Sequence, residues 1–234
     1  MKWLRKKGIS YDDIEFILSK HGKELFYDTI FNLEDFNELV LSKLGISMSN
    51  VVRKDSKYII KVDLPDKIPF DINKLYEILV SETKLSIEDI KRMLTEDDIA
   101  EIFEDVIKSY VTELDEKYIF DIRRFDNSVG FYLDDVTVDV DENKITQILN
   151  EFYEKHSDDL FDILYAYDVT SPTVKRVICE ELEKFIKENY NIEDIIEVDS
   201  ESVKQFIADA NNIAAKLTDR QFWIDKFVNK LKSQ

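Results

Sequence analysis

Residues that could act as nucleophiles or general bases are few in this sequence, and they lie far apart. His21 and His156 are its two histidines, and neither stands beside a serine or cysteine signature. Cys179, the single cysteine, follows Ile178 at the edge of an apolar helical stripe, where a cysteine ordinarily serves as a small packing residue. We therefore expect no nucleophilic catalysis and predict that the protein is not an enzyme.

Glycines are too scattered to build a nucleotide site. The four of them stand at positions 8, 22, 45 and 130. A phosphate-binding loop or a dinucleotide fingerprint needs several glycines within a few residues, because the backbone must approach the phosphates closely. The kinase, P-loop and simple dinucleotide-binding classes are therefore excluded, and we expect no cofactor. A single cysteine also excludes a disulfide framework and agrees with a reducing compartment.

Carboxylates are abundant, and one stretch spaces them regularly. Asp135, Thr137, Asp139 and Asp141 alternate with valines, which predicts a strand with one apolar and one polar face. Oxygen ligands suit hard divalent cations, so Asp135, Asp139 and Asp141 are candidate metal ligands if another element contributes to the site. A solvated strand face is the alternative interpretation. The related Asp139-x-Asp141-x-Asn143 pattern lacks the glycine that a calcium loop requires.

Basic and aromatic residues gather towards both ends of the chain. Tryptophan and arginine are enriched in protein interfaces. The residues that we predict to bind another protein chain are Lys2, Trp3, Arg5, Lys6, Lys7, Phe222, Trp223 and Phe227. That other chain could be a copy of this one, because the basic ends complement an acidic middle. The alternative is that both tryptophans complete the core.

The elements that must position these residues are mostly helices. Glycine and proline are rare, and capping residues mark the helix starts: Ser10, Asn32, Ser86, Asn191 and Thr218 each precede an acidic or amide residue by three positions. Apolar periodicity then predicts helices near 10–27, 33–44, 71–82, 86–94, 96–114, 142–155, 158–167, 172–189, 200–217 and 219–232.

Two hairpins and one further strand complete the prediction. The first hairpin joins 51–53 to 57–62, and the second joins 118–125 to 129–133, where Gly130 would permit a bulge. The further strand covers 135–141. The predicted fold class is α+β, predominantly α-helical, with two small antiparallel β-hairpin or meander units.

Charge divides the chain unevenly. The formal net charge is −18, and residues 86–170 alone carry 24 acidic and 8 basic residues. This suggests three parts: a helical segment with a hairpin over 1–84, an acidic helix–meander–helix segment over 85–170, and a helical segment over 171–234. One continuous domain is the alternative. Such an acidic chain is not expected to bind nucleic acid directly and sequence-specifically, because phosphate contacts need a surplus of Lys and Arg.

These observations favour a non-catalytic structural or interaction subunit of a larger assembly. Residues with GC-rich codons are scarce, which suggests a low-GC bacterium or its phage, and the most specific expectation is a virion component such as a head–tail connector or ring protein. An acidic inhibitor or nucleic-acid mimic that binds a basic partner is one alternative, and a divalent-metal-dependent enzyme is another. No apolar run is long enough for a membrane span. The basic residues at the start of the chain are not followed by the apolar region of a signal peptide. We therefore expect a cytoplasmic or virion location.

Overall fold

The computed structural model describes residues 11–166 and 172–233, with the side chains of residues 21–158, 172, 173 and 175–233. The helices in this part of the chain are α1 (Tyr11–Phe31), α2 (Phe36–Lys43), α3 (Ile72–Thr83), α4 (Ile87–Met93), α5 (Glu96–Lys117), α6 (Glu142–Ala166), α7 (Pro172–Asn189), α8 (Ser200–Thr218) and α9 (Arg220–Lys232). The strands are β1 (Val51–Lys54), β2 (Lys57–Asp63), β3 (Arg123–Phe125), β4 (Ser128–Tyr132), β5 (Val138–Val140) and β6 (Ile196–Val198). The predicted α+β class, predominantly helical with small antiparallel sheets, is confirmed.

The chain forms two compact units, and each is built from two separate stretches. The first unit comprises Met1–Gly45 and Thr137–Val198, and the second comprises Ile46–Val136 and Asp199–Gln234. The boundaries after residues 84 and 170 that the charge distribution suggested do not coincide with these units. The physical reason is that a stretch distant in sequence completes each core.

Helix packing forms the core of the first unit. α1 packs against both α6 and α7. Apolar residues recur at helical spacing on the facing sides, and those that are buried include Leu25, Phe26, Ile30, Ile145, Ile148, Phe152, Ile178, Leu182 and Phe185. Gly22 permits a close approach of α1 to α6, because a Cβ at this position would lie 3.0 Å from Leu149 Cδ1.

A four-stranded antiparallel sheet in the order β1-β2-β4-β3 organises the second unit. Ile60 pairs with Phe131, and both are buried on the face that meets α8. The Phe131 and Phe206 ring centroids are 5.1 Å apart. Since residues two apart share a face of a strand, the opposite face carries Lys57 and Tyr132.

The two predicted hairpins are joined in this one sheet. β4 pairs with both β2 and β3 without a skipped residue, so Gly130 does not form the bulge that it would permit. Glycine is needed there for another reason. A Cβ at position 130 would lie 2.2 Å from the backbone oxygen of Ile60, so the strands could not stay this close with a side chain present.

The predicted strand 135–141 is wrong in its bounds. Only Val138–Val140 form β5, while Leu133–Asp135 form a 3-10 turn. β5 pairs with β6, a strand that the sequence analysis did not predict. The predicted strand 118–125 is likewise shortened to β3, Arg123–Phe125.

Two helix predictions are also corrected. The predicted helices 142–155 and 158–167 are joined in one continuous helix, α6, over the described residues Glu142–Ala166, because no glycine or proline interrupts the chain between them. α2 begins at Phe36 because α1 continues to Phe31. Asn32 does not cap α2, and its amide nitrogen donates to the Asp28 backbone oxygen at 2.6 Å.

The predicted caps have different outcomes. Ser86 is confirmed, since its hydroxyl accepts from the Asp89 backbone nitrogen at 3.1 Å. Asn191 caps a 3-10 turn instead of an α-helix. Thr218 is wrong by one residue, because Asp219 caps α9. The predicted cap at Ser10 lies outside the described residues.

Candidate functional site

Three aromatic rings form a cluster on the surface of the first unit. α1 places Tyr27 and Phe31 one helical turn apart, with ring centroids 5.8 Å apart and planes nearly parallel. Phe36, the first residue of α2, meets Phe31 edge-on at 5.2 Å. Phe31 is 44% exposed, and the other two rings are half-buried. We refer to Tyr27, Phe31 and Phe36 as the aromatic cluster.

The turn between α1 and α2 brings Phe36 to the end of α1. Leu33 is buried in this turn, and its backbone nitrogen donates to the Ile30 oxygen at 3.2 Å. The Phe36 nitrogen then donates to the Leu33 oxygen at 3.1 Å. Burial of Leu33 therefore fixes a short turn, and this short turn holds Phe36 against Phe31.

Acidic residues lie close in sequence to the three residues of the aromatic cluster. Asp28, Glu34, Asp35 and Glu38 are all exposed, and we call these four residues the acidic rim. No Lys or Arg occurs between residues 23 and 43. Two cations of α7 act on the rim. The pKa of Lys187 is raised first by its hydrogen bond to Glu183 and further by the charges of Asp35 and Glu34. The pKa of Lys175 is raised first by its hydrogen bond to Glu24 and further by the charge of Asp28.

This composition suits recognition of a basic, apolar chain segment. Burying an exposed aromatic side chain contributes about 1.5–3 kcal/mol. Aromatic faces also attract Lys and Arg, by about 0.5–2 kcal/mol according to how far the pair is desolvated. Four carboxylates add attraction for the same cations, which salt would weaken.

The aromatic cluster was missed by the sequence analysis, although a signal for it exists. Phe26 and Ile30 stand on the buried stripe of α1, whereas Tyr27 and Phe31 each lie one residue further, about 100° around the helix. Two aromatic residues spaced by four, next to a stripe that is already complete, indicate rings that the core of the same unit does not need.

The predicted partner-binding residues fall into two groups. Lys2, Trp3, Arg5, Lys6 and Lys7 lie outside the described residues. Those of α9 are in the second unit, and the structure corrects their role.

Trp223 and Phe227 are fully buried, and Phe222 is half-buried. The Trp223 indole nitrogen donates to the Leu217 backbone oxygen at 2.8 Å, and its ring centroid is 5.5 Å from that of Phe103. The two buried rings complete the core of the second unit, so they cannot present their side chains to a partner of the folded chain. Phe222 alone of the three keeps some exposure.

The three candidate metal ligands are not on one strand face. Asp135 belongs to a 3-10 turn in the second unit, whereas Asp139 lies on β5 in the first unit. Asp141 accepts from the Asn143 backbone nitrogen at 2.8 Å and so caps α6. Among the described side chains, no group of three or more His, Cys, Asp or Glu residues is placed to hold a metal ion.

Asp135 has an unusual environment. Its Oδ2 is buried and has no hydrogen-bond partner. Burial, followed by the charge of Asp134, raises the pKa of this carboxyl group. Arg123 opposes this rise, but its guanidinium group pairs with Asp121. Burial therefore disfavours the charged form of the Asp135 carboxyl group. One carboxylate alone does not form a metal site.

The remaining reactive side chains take part in ordinary packing or surface pairs. Cys179 is half-buried, with its Sγ 3.8 Å from the Leu25 backbone oxygen, and burial raises the pKa of the thiol. A thiol with a raised pKa is a poorer nucleophile at neutral pH. His21 lies 3.6 Å from Glu24, and the His156 ring contacts that of Phe152 at 4.9 Å.

A cavity of about 450 Å³ lies between α1, α6 and α7. Its apolar walls include Leu25, Leu149, Phe152 and Ile178, and polar side chains such as Lys23 stand among its lining residues. Lys23 is already paired with Glu142 at 3.0 Å. The cavity leaves room for the Leu149 side chain to move. Its mixed lining does not indicate one class of ligand.

The acidic middle of the chain is divided between the units. Residues 86–136, with a net charge of −9, belong to the second unit, and residues 137–170, with −7, belong to the first. The largest acidic element is α5, which carries nine carboxylates and two lysines. The charge surplus is therefore not a property of one unit.

No helix in the described ranges combines the length and the apolar character needed to cross a membrane. In comparisons with protein families, curated proteins and solved structures, the chain matched no family model, no curated protein and no solved structure.

Proposed function

We propose that this protein is a non-catalytic interaction subunit that binds another protein chain through the aromatic cluster and its acidic rim. The single observation that supports this proposal is the exposure of Phe31 together with its contacts to two further rings. Isolated apolar side chains are common on protein surfaces, but contiguous aromatic groups with a polar surround are typical of interaction sites.

The chemistry of the cluster defines the class of partner. Aromatic residues dominate binding free energy when a partner excludes water from them. The acidic rim would repel an acidic segment of a partner and attract a basic one. We therefore propose a partner segment that carries Lys or Arg next to an apolar anchor.

The finer form of the proposal is a bacteriophage virion component, such as a head–tail connector or ring protein. Its support is the low-GC amino-acid composition alone: 28 isoleucines stand against 6 alanines and 7 arginines. The interaction proposal does not depend on this finer form.

Affinity capture with matched surface variants tests the proposed function. Phe31→Ser removes the most exposed ring of the cluster. Ile119→Ser is the control, because Ile119 is 72% exposed in the second unit and is not part of the cluster. Ile119→Ser is expected to change the free energy of unfolding by no more than about 0.5 kcal/mol. Phe31→Ser also removes two ring contacts, each worth about 0.5–1.5 kcal/mol, so circular dichroism is used to check that both variants are folded.

The bait is the full chain, and captured proteins from the cells of origin are quantified by mass spectrometry. We expect at least one protein that carries a basic segment to be captured by the wild type and by Ile119→Ser, and to be lost with Phe31→Ser and at high salt. If Phe31→Ser captures the same proteins in the same amounts as the wild type, the proposed function is wrong.

A further inference from the structure

We propose that the occupant of the aromatic cluster is the basic N-terminal segment of a second copy of this chain, with Trp3 as the apolar anchor. This inference rests on the proposed function, and it names the partner of the same surface. It predicts head-to-tail association, in which one copy contributes residues 2–7 and the other contributes the cluster.

The two surfaces are complementary in charge. Residues 2–7 read Lys-Trp-Leu-Arg-Lys-Lys, with four cations and no acid. The acidic rim supplies four exposed carboxylates, against which the described side chains of α7 set two cations, Lys175 and Lys187. Few other segments of so acidic a protein could satisfy this rim, since the chain as a whole has a formal net charge of −18.

The two surfaces are also complementary in their apolar groups. Trp3 adds one large ring to a cluster whose central ring, Phe31, still exposes 44% of its surface. Arg5, two residues later, can lie over an aromatic face in the manner of a cation–π pair. A tryptophan flanked by cations is the kind of anchor that an aromatic surface with an acidic rim recognises.

Chain length argues for a second copy over the same copy. α1 is continuous from Tyr11 to Phe31, so these residues are separated by about 30 Å along its axis. Trp3 precedes Tyr11 by eight residues, which span at most about 26–29 Å when fully extended. Even fully extended, these eight residues are no longer than α1, so a contact of Trp3 with Phe31 of the same copy would have a large entropic cost.

The segment and the cluster are different surfaces, so the association is heterologous. Each copy then offers one free segment and one free cluster, and further copies can add at both ends. Such contacts generate rings when the rotation closes and open filaments when it does not. This geometry agrees with a subunit of a larger assembly.

A complementation experiment tests the inference with full-length chains. Trp3→Ser disables the segment and leaves the cluster intact, whereas Phe31→Ser does the reverse. Molar mass is measured by light scattering at low salt across a wide range of concentration. We expect the wild type and the Ile119→Ser control to show at least twice the chain mass of 27.7 kDa, and each of the two test variants alone to fall to one chain mass.

The mixture of the two variants gives the decisive result. Each variant keeps one functional half, so an equimolar mixture is expected to form pairs of two chains and nothing larger. A mixture that stays monomeric overturns the pairing of segment with cluster. Association that survives Trp3→Ser also overturns it, because the contact would then not use the N-terminal segment.

The outcomes separate this inference from the proposed function. If the wild type is monomeric at every concentration and salt, the second copy is not the occupant and the inference is wrong. The proposed function still stands in that case, provided that capture of a protein that carries a basic segment depends on Phe31. If neither self-association nor capture depends on Phe31, both proposals fail.

Discussion

Gly22 and Gly130 lack a side chain for different structural reasons. A Cβ at Gly22 would lie 3.0 Å from Leu149 Cδ1, the mobile end of a half-buried side chain that also lines the cavity between α1, α6 and α7. A Cβ at Gly130 would lie 2.2 Å from the backbone oxygen of Ile60 and could not be relieved by a rotamer change. Crowding by a side chain can relax, whereas crowding by a paired strand cannot.

Gly22→Ala is therefore predicted to stabilise the protein. Alanine in a helix interior is favoured over glycine by about 0.5–1 kcal/mol, and Leu149 can yield by a few tenths of an ångström into the cavity. The free energy of unfolding, measured by urea titration with circular dichroism, is expected to rise by about 0.5 kcal/mol.

Gly130→Ala is the matched comparison. Overpacking of a rigid site ordinarily costs about 1–3 kcal/mol, and we expect a loss at the upper end of this range. Equal effects of the two substitutions, or a destabilising Gly22→Ala, would contradict the description of the α1–α6 contact.

At the scale of elements, the start of α5 is held by a reciprocal cap. The Thr95 hydroxyl accepts from the Asp98 backbone nitrogen at 3.2 Å, and the Asp98 carboxylate accepts from the Thr95 backbone nitrogen at 2.8 Å. α2 offers a contrast, because its N-cap residue Asp35 makes no side-chain capping bond. Local capping chemistry thus stabilises one helix start and not the other.

Thr95→Ala is predicted to lower the free energy of unfolding by about 1 kcal/mol, the usual cost of losing an N-cap. Hydrogen bonds from Thr95 also lower the pKa of Asp98. A carboxyl group with a lowered pKa contributes stability at pH above its unfolded pKa of about 4, and loses it as pH falls through the folded pKa.

Thr95→Ala should therefore lower the free energy of unfolding by more at pH 7 than at pH values at and below about 4. Asp35→Ala is the control, because Asp35 makes no side-chain capping bond, and we expect the free energy of unfolding to change by no more than about 0.5 kcal/mol. Urea titrations at several pH values measure both. If Thr95→Ala lowers the free energy of unfolding by the same amount at pH 7 and below pH 4, the Asp98 carboxylate does not contribute to the cap as described.

Another element contact joins α5 to α8. Asp209 of α8 accepts from Lys117 Nζ and from the Tyr118 hydroxyl, the latter at 2.6 Å. The pKa of Asp209 is lowered, first by Lys117 and then by Tyr118, and burial raises the pKa of Tyr118. The Asp209 carboxylate thus accepts hydrogen bonds from both polar groups at the end of α5, the Lys117 ammonium and the Tyr118 hydroxyl.

At the scale of the whole molecule, excess negative charge works against folding. The chain has 50 acidic and 32 basic residues. Surface ion pairs such as Lys57–Asp134 each contribute only about 0–1 kcal/mol. Repulsion among unpaired carboxylates, several of which line one side of α5 at Asp105, Glu113 and Glu116, is therefore the larger salt-sensitive effect.

Salt is predicted to stabilise the protein. The screening length falls from about 30 Å at 0.01 M to about 10 Å at 0.1 M ionic strength, so repulsion between distant carboxylates is reduced. We expect the melting temperature to rise by a few degrees over this range, which corresponds to about 1 kcal/mol for a chain of this size. Differential scanning calorimetry in NaCl measures it.

A variant with neutral α5 side chains serves as the control for this prediction. Asp105→Asn, Glu113→Gln and Glu116→Gln, combined, remove three charges from exposed positions that form no ion pair among the described side chains. The salt-dependent rise should be smaller in this variant. A wild type that is destabilised by salt would show that its ion pairs outweigh its net charge.

Sequence alone determined the helices whose signals are local. α3, α4 and α5 begin within one residue of their predicted starts. Each has an N-cap side chain that accepts from a backbone nitrogen no more than three residues away, so the signal is local. The apolar stripe of a helix is equally local, so Ile178, Leu182 and Phe185 were assigned correctly to one buried face.

Which stretches of the chain meet depends on long-range packing, which local sequence does not encode. β4 pairs with β2 across more than sixty residues, and β5 pairs with β6 across a similar separation. Tertiary packing also decided which aromatic rings are covered: Trp223 is fully buried, whereas Phe31 is 44% exposed. Periodicity shows that a helix has an apolar face, but the element that covers this face comes from elsewhere in the chain. Burial is a property of that long-range contact, and for this reason local sequence could not distinguish a core tryptophan from a surface phenylalanine.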